Sequence, residues 1–179
     1  MEPTSASTLP QSFVVLETDH WRINHRVDVQ LPGYLILAPK DPSAVSFAAI
    51  SPDALAEMGS VLAKVAGAME KYLQPKHLYV GRYGHSKGHN LHLHLIPIYE
   101  WVVQAFSQDP RYRELQSFHT PGVSRPEQDS HFDGAEMTLF VWREFAESLT
   151  PPPISGPSIS ETIRLLKDVL NRPVQDIGD

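Results

Sequence analysis

Short apolar runs alternating with breakers mark the chain between residues 13 and 39. "FVVLET" (residues 13–18) and "WRINHRVDV" (residues 21–29) carry β-branched residues at frequent intervals and predict two strands split by a "DH" turn. Pro32 and Gly33 supply turn chemistry, and the apolar run from Tyr34 to Ala38 ends at Pro39, so a third strand is expected there. The period changes after Ser51. Leu55, Met58, Leu62, Val65, Met69 and Tyr72 recur at spacings of three and four, which predicts one buried stripe on a long helix. Ser51 as N-cap, Pro52 at the first helical position and Asp53 in the first turn mark its start, and Pro75 closes it. A fourth strand is predicted over His77–Tyr83, then a glycine-bounded loop "GHSKG" (residues 84–88), then a fifth strand through "NLHLHLIPIY".

Beyond Tyr99 the pattern is helical and interrupted. "WVVQAF" predicts a short helix, and residues 107–134 read mostly as loop. "DGAEMTLFVWREFAESL" predicts a helix capped by Asp133 with Glu136 three residues on. "TPPPISGP" is a stiff extended linker. After it, Ser158 and Glu161 form a capping box, Ile159, Ile163, Leu166 and Leu170 form an apolar stripe, and Pro173 is a stop. The chain thus divides into a loose N-terminus (1–12), a domain (13–150), a proline-rich linker (151–157) and a C-terminal helix with its tail (158–179). That helix has to dock on its own domain or on a partner chain, and the stiff linker suggests a swap onto a partner. Trp101, Trp142 and Phe145 lie in apolar segments and are expected in the core or at a dimer contact; His20 and His25 are expected as exposed polar residues, and Arg143 and Glu144 as a surface pair.

Composition narrows the chemistry. With 179 residues, 41% of them hydrophobic, the chain can bury one good core. A net charge of -6, from 15 basic and 21 acidic residues, argues against a surface that tracks a nucleic acid polymer. Cysteine is absent, which excludes disulfides, cysteine metal sites and thiolate catalysis. The polar start "MEPTSASTLPQS" has no apolar centre, and no segment approaches the roughly 20 apolar residues of a membrane span, so a cytoplasmic protein without membrane contact is expected.

The fifth strand concentrates the chemistry. Side chains alternate faces along a strand, so Leu91, Leu93 and Leu95 point one way while Asn90, His92 and His94 point the other. An amide and two imidazoles in a row can bind a metal, carry nucleophilic or acid–base chemistry, or form a plain polar sheet face. The metal reading lacks a third ligand: His89 has the opposite parity and His85 lies back in the loop. Lys87 and the backbone N–H groups of the glycine-bounded loop immediately before the strand fit an anion instead, so a phosphate-centred site suits these residues better.

"NLHLHLIP", with "PG" before the third strand, the helix after it and the glycine-bearing loop, resembles the histidine triad motif His-φ-His-φ-His-φ-φ. That motif belongs to a family of nucleotide hydrolases and transferases that includes the fragile histidine triad and Hint branches. The likeness runs from about Phe13 to Tyr99. It implies an α+β fold, with an antiparallel sheet of about five strands and a main helix packed on it, here extended by a C-terminal helix. It also implies a homodimer that binds a nucleotide or nucleotide conjugate. The family's nucleophile falls at His92 and a supporting donor at His94, while the first triad position holds Asn90 and a fourth family histidine falls at Tyr34. The phosphate-contacting position before the nucleophile holds Lys87, followed by Gly88; the ribose position falls at Arg26, with Asn24 two residues out of register. The implied chemistry is attack on an α-phosphate to give a nucleotidyl-histidine that water hydrolyses. It needs no metal or cofactor on the protein, with Mg²⁺ only as the substrate's counter-ion.

Overall fold

The structure is a computed structural model that describes residues 9–83, 90–113 and 134–172. Five strands, β1 (Val14–Glu17), β2 (Trp21–His25), β3 (Leu35–Pro39), β4 (His77–Gly81) and β5 (Leu93–Ile98), pair antiparallel throughout in the order β1-β2-β3-β5-β4. Helix α1 (Pro52–Leu73) follows β3 and packs on one face with α5 (Ile159–Leu170). On the other face lie α2 (Glu100–Gln108), the single turn α3 (Pro110–Arg113), α4 (Gly134–Val141) and a π-helical turn over Trp142–Glu147. The expected α+β architecture, with its main helix and its later C-terminal helix, is the one observed.

The caps read from the sequence operate as hydrogen bonds. Ser51 Oγ accepts from Ala54 N at 3.3 Å, and Gln74 ends α1 in the left-handed region at φ 49°. In α5, Ser158 Oγ accepts from Glu161 N while Glu161 Oε2 accepts from Ser158 N at 2.8 Å, a complete capping box. The predicted α1 stripe is rotated: Ala54, Val61, Val65 and Met69 are buried, whereas Leu55 and Tyr72 are exposed. Small alanines let the helix approach the sheet, and the buried indole of Trp21 donates to the Ala54 carbonyl at 2.9 Å, which fixes that rotation. Periodicity alone gives the existence of a face but not its exact centre.

Helix α5 docks on β1 and α1 of its own chain. Lys167 Nζ donates to the Ser12 carbonyl at 2.9 Å and Asn171 Nδ2 to the Val15 carbonyl at 3.0 Å. Leu166 and Leu170 join the leucines of β3 and β5 in one cluster. Because Leu166 is fully buried, Leu166→Ala is expected to lower unfolding free energy by about 2–4 kcal/mol, read as a drop in the urea midpoint with an unchanged slope.

The second face is also covered. Ile96 and Ile98 of β5 pack with Val102 and Phe106 of α2 and Phe140 of α4 in a separate aromatic-rich cluster. The parity that carries Asn90, His92 and His94 therefore continues into a second core rather than along a solvated polar face. Pro97 is tolerated within β5 because pairing with β3 stops at Leu95 while β4 continues alongside.

Candidate functional site

The β5 leucines enter the core as their parity requires, with Leu91, Leu93 and Leu95 all buried. Leu91 N donates to the Ala44 carbonyl at 2.8 Å, which anchors the approach to the strand. His92, on the opposite parity, is half-buried just before β5 begins. Its Nδ1 lies 2.9 Å from the carbonyl oxygen of Asn90. A carbonyl only accepts, so Nδ1 is the donor and the lone pair of the neutral ring sits on Nε2. His94 is 4% exposed, with its ring 4.8 Å from that of His92.

Sheet register brings further groups to His94. Ile36 lies opposite it on β3, which makes Tyr34 its diagonal neighbour on the same face, and Tyr34 Oη is 2.9 Å from His94 Nδ1. Tyr34 is delivered by a turn that demands glycine. Gly33 has φ +79°, and a Cβ there would meet Leu73 Cδ1 at 2.6 Å. Arg26, held by a backbone bond from its N to the Tyr34 carbonyl, donates Nη1 to Tyr34 Oη at 3.2 Å. It also donates Nε and Nη2 to the Asp28 carboxylate at 2.7 and 2.9 Å. On the β4 side Gly81 stands opposite His94, and its missing side chain leaves room for the Tyr83 ring, 5.3 Å from the His94 ring.

Burial drives His94 down to a pKa of about 4, helped by neighbouring His92 and the Arg26 charge; the Tyr83 backbone and Asp28 oppose the shift only in part. His94 is therefore neutral at physiological pH. The unfolded chain takes up this proton near pH 6.5 and the folded chain only near 4. Stability from this group is complete above about 6.5 and is lost as pH falls toward 4. His94 alone contributes a loss of roughly 2 kcal/mol between pH 7.5 and 4.5 in urea titrations; His25, whose pKa burial also lowers, adds in the same direction, and His94→Gln should remove only the His94 share.

Among the residues singled out from sequence, Asn90, His92, His94, Tyr34 and Arg26 come together. Asn24 lies in the same cross-sheet row, opposite Ile36, and is 8% exposed, with Nδ2 donating to the His25 carbonyl at 2.9 Å. Lys87, Gly88, His85, His89 and the Asp133 cap lie outside the described residues. His25 is not an exposed residue: its ring is fully buried, with Nδ1 2.8 Å from the Arg26 carbonyl and Nε2 3.1 Å from that of Leu31, so it ties down the turn that carries Arg26. Glu144 is not at the surface either; it is buried, accepts from Tyr112 Oη at 2.9 Å and pairs with Arg111 at 3.0 Å. Phe145 is core, whereas Trp142 is exposed and covers the Arg26 guanidinium at 5.1 Å. Asp28, Tyr83 and Trp142 were not legible as site neighbours; only the i, i+2 spacing of Arg26 and Asp28 hinted at one of them.

Among the described residues no group of three or more histidine or carboxylate side chains could hold a metal ion. A cavity of about 740 Å³ between Phe13, Gln30 and α5 shares no lining residue with the histidines and is mainly apolar, so the chemistry, not the cavity, locates the candidate site.

The family model for the HIT domain matches residues 8–101. The chain belongs to the HIT-domain family. The matched segment spans all five strands and α1, and with them His92, His94 and Tyr34. No curated protein matches the chain. Among solved structures it is similar to a Hit-like protein involved in cell-cycle regulation from Bartonella henselae (16% identity, 87% of this chain and 84% of that one, TM-score 0.48). It is also similar to a zinc-bound histidine triad family protein from Mycobacterium smegmatis (15%, 88% and 83%, 0.48). A third is a hypothetical histidine triad nucleotide-binding protein from Sulfolobus tokodaii (16%, 92% and 89%, 0.48). HIT-domain membership is consistent with nucleotide binding and with an enzymatic role. No helix among the described residues is long and apolar enough to cross a membrane.

Proposed function

We propose that this HIT-domain chain is a nucleotidyl hydrolase or transferase acting through His92 at the α-phosphate of a nucleotide conjugate. The observation that carries the reading is the bond from His92 Nδ1 to the Asn90 carbonyl, which leaves the Nε2 lone pair as the attacking atom. Nε2 attacks the α-phosphorus, the bond from phosphorus to the leaving group breaks, and its electron pair departs with that group. Water then attacks the nucleotidyl-histidine, expels the imidazole and releases its proton to solvent. Neutral His94 beside His92 serves the phosphoryl oxygens as a hydrogen-bond donor, with Lys87 and the Gly88 N–H expected on the same oxygens. Arg26 and Asn24 are the ribose candidates, each already engaged within the chain, Arg26 by Asp28 and Tyr34 and Asn24 by the His25 carbonyl. Mg²⁺ enters only with a polyphosphate substrate.

A second reading is a nucleotide-binding module with weak turnover. It is favoured by Asn90 and Tyr34, which stand where the triad pattern carries imidazoles and which cannot exchange a proton near neutral pH. A dinucleoside polyphosphate and a nucleoside phosphoramidate are to be incubated with the protein, following product release beside calorimetric titration with nucleoside monophosphate. Release by wild type that is lost in His92→Ala supports the enzyme. Binding by both with release by neither leaves the module.

A further inference from the structure

Behind His94 three groups stand in line, from the Asp28 carboxylate through the Arg26 guanidinium and the Tyr34 hydroxyl to His94 Nδ1, at 2.7, 3.2 and 2.9 Å. Chemistry gives each link a direction. A carboxylate accepts and a guanidinium only donates, so Arg26 occupies a lone pair of Tyr34 Oη. The tyrosine has one hydrogen, and the acceptor within reach is His94 Nδ1. We infer that Arg26 is a positioning residue that acts through Tyr34 to hold His94 as the tautomer with its hydrogen on Nε2.

The opposite tautomer is disfavoured on three counts. It would aim two donors, Arg26 Nη1 and His94 Nδ1, at one hydroxyl oxygen. The Tyr34 hydrogen would lose its acceptor in a residue only 2% exposed, a cost of about 1–3 kcal/mol. A bare lone pair on Nε2 would also repel a phosphoryl oxygen rather than bind it. Burial raises the Tyr34 pKa against the pull of Arg26, so the hydroxyl keeps its hydrogen. His94 Nε2 is itself buried and makes no hydrogen bond of good geometry among the described residues, while the Tyr83 backbone beside the ring favours a hydrogen on it, in keeping with Nε2 as the protonated nitrogen.

The C-terminal half of the chain supports this line. The Arg26 guanidinium lies between the Tyr34 ring at 5.4 Å and the Trp142 ring at 5.1 Å. Trp142 opens the π-helical turn, beyond the segment matched by the HIT-domain model, and that turn is tied to the Arg26 loop by Gln30 N donating to the Phe145 carbonyl at 2.8 Å. A residue outside the family segment thus braces a side chain that orients the site.

The catalytic consequence rests on His92 as nucleophile; the tautomer does not, and it is measurable without substrate. Imidazole ¹⁵N shifts of the full chain at pH 7.5 are expected to show His94 protonated on Nε2 and unprotonated on Nδ1. Tyr34→Phe and Arg26→Met should shift His94 toward a tautomer mixture. Arg26→Met should lower kcat about 10-fold with KM within about 2-fold of wild type, the pattern of a donor misaligned in the transition state. A wild-type His94 with its hydrogen on Nδ1 overturns the inference, and this measurement needs no variant to fold. So does an Arg26→Met protein whose His94 shifts and kcat match wild type. If no substrate turns over but the tautomer responds as expected, the line of residues stands and the enzyme reading fails.

Discussion

His92→Ala is expected to abolish cleavage of nucleotide conjugates, lowering kcat by about 10⁴-fold or more, while nucleotide affinity stays within about 3-fold of wild type. The asymmetry follows from position. His92 is half-buried at the entry to β5 and holds a single local bond, Nδ1 to the Asn90 carbonyl, so its truncation removes the attacking atom without emptying the core. The donors expected on the phosphoryl oxygens, His94 and the loop before β5, remain. Steady-state turnover beside calorimetry reads both halves of the prediction. Equal loss of binding and turnover would instead mean that His92 is a ligand-binding group.

The second large effect concerns the leaving group. A phosphoramidate or an alkyl ester needs a proton on its departing atom, whereas a phosphoric anhydride releases a phosphate oxygen already stable as an anion. Three groups beside His92 do not give that proton near neutral pH. His94 is neutral, with a pKa of about 4, Asn90 does not titrate, and burial raises the Tyr34 pKa. General acid catalysis contributes typically 10²–10⁴-fold, so kcat/KM for a dinucleoside polyphosphate should exceed that for a nucleoside phosphoramidate by about 100-fold or more. Asn90→His should narrow the gap by raising phosphoramidate turnover selectively. Comparable rates on both substrates in the wild-type protein would contradict this picture of the site.

How far these features could be read from sequence depends on how local their causes are. Alternation placed Leu91, Leu93 and Leu95 in the core, and capping chemistry placed the starts of α1 and α5, because those signals act within a few residues. The rotation of α1 about its axis was not readable, since it is set by Trp21 reaching Ala54 across 33 residues. Nor was the fate of His25, Glu144 and Trp142. His25 and Glu144 are polar and look like surface in a local window, whereas Trp142 lies in an apolar segment and looks like core. Two of them are buried by partners distant in sequence or by a turn, and the third lies over Arg26. The motif likewise identified His92 and His94 by spacing but gave no sign that Arg26 and Asp28 would line up behind Tyr34. That alignment depends on the antiparallel register of β2 with β3 and of β3 with β5, which brings residues 60 positions apart to within 2.9 Å.

The central claim is that His92 Nε2 becomes covalently nucleotidylated. Rapid quench of the wild-type protein with a dinucleoside polyphosphate, followed by intact mass and peptide mapping under mildly basic conditions, tests it most directly. One nucleotidyl group on the peptide that contains His92, absent from His92→Ala, is the predicted result. Substrate consumption with no adduct at any quench time, or an adduct that persists in His92→Ala, would contradict it.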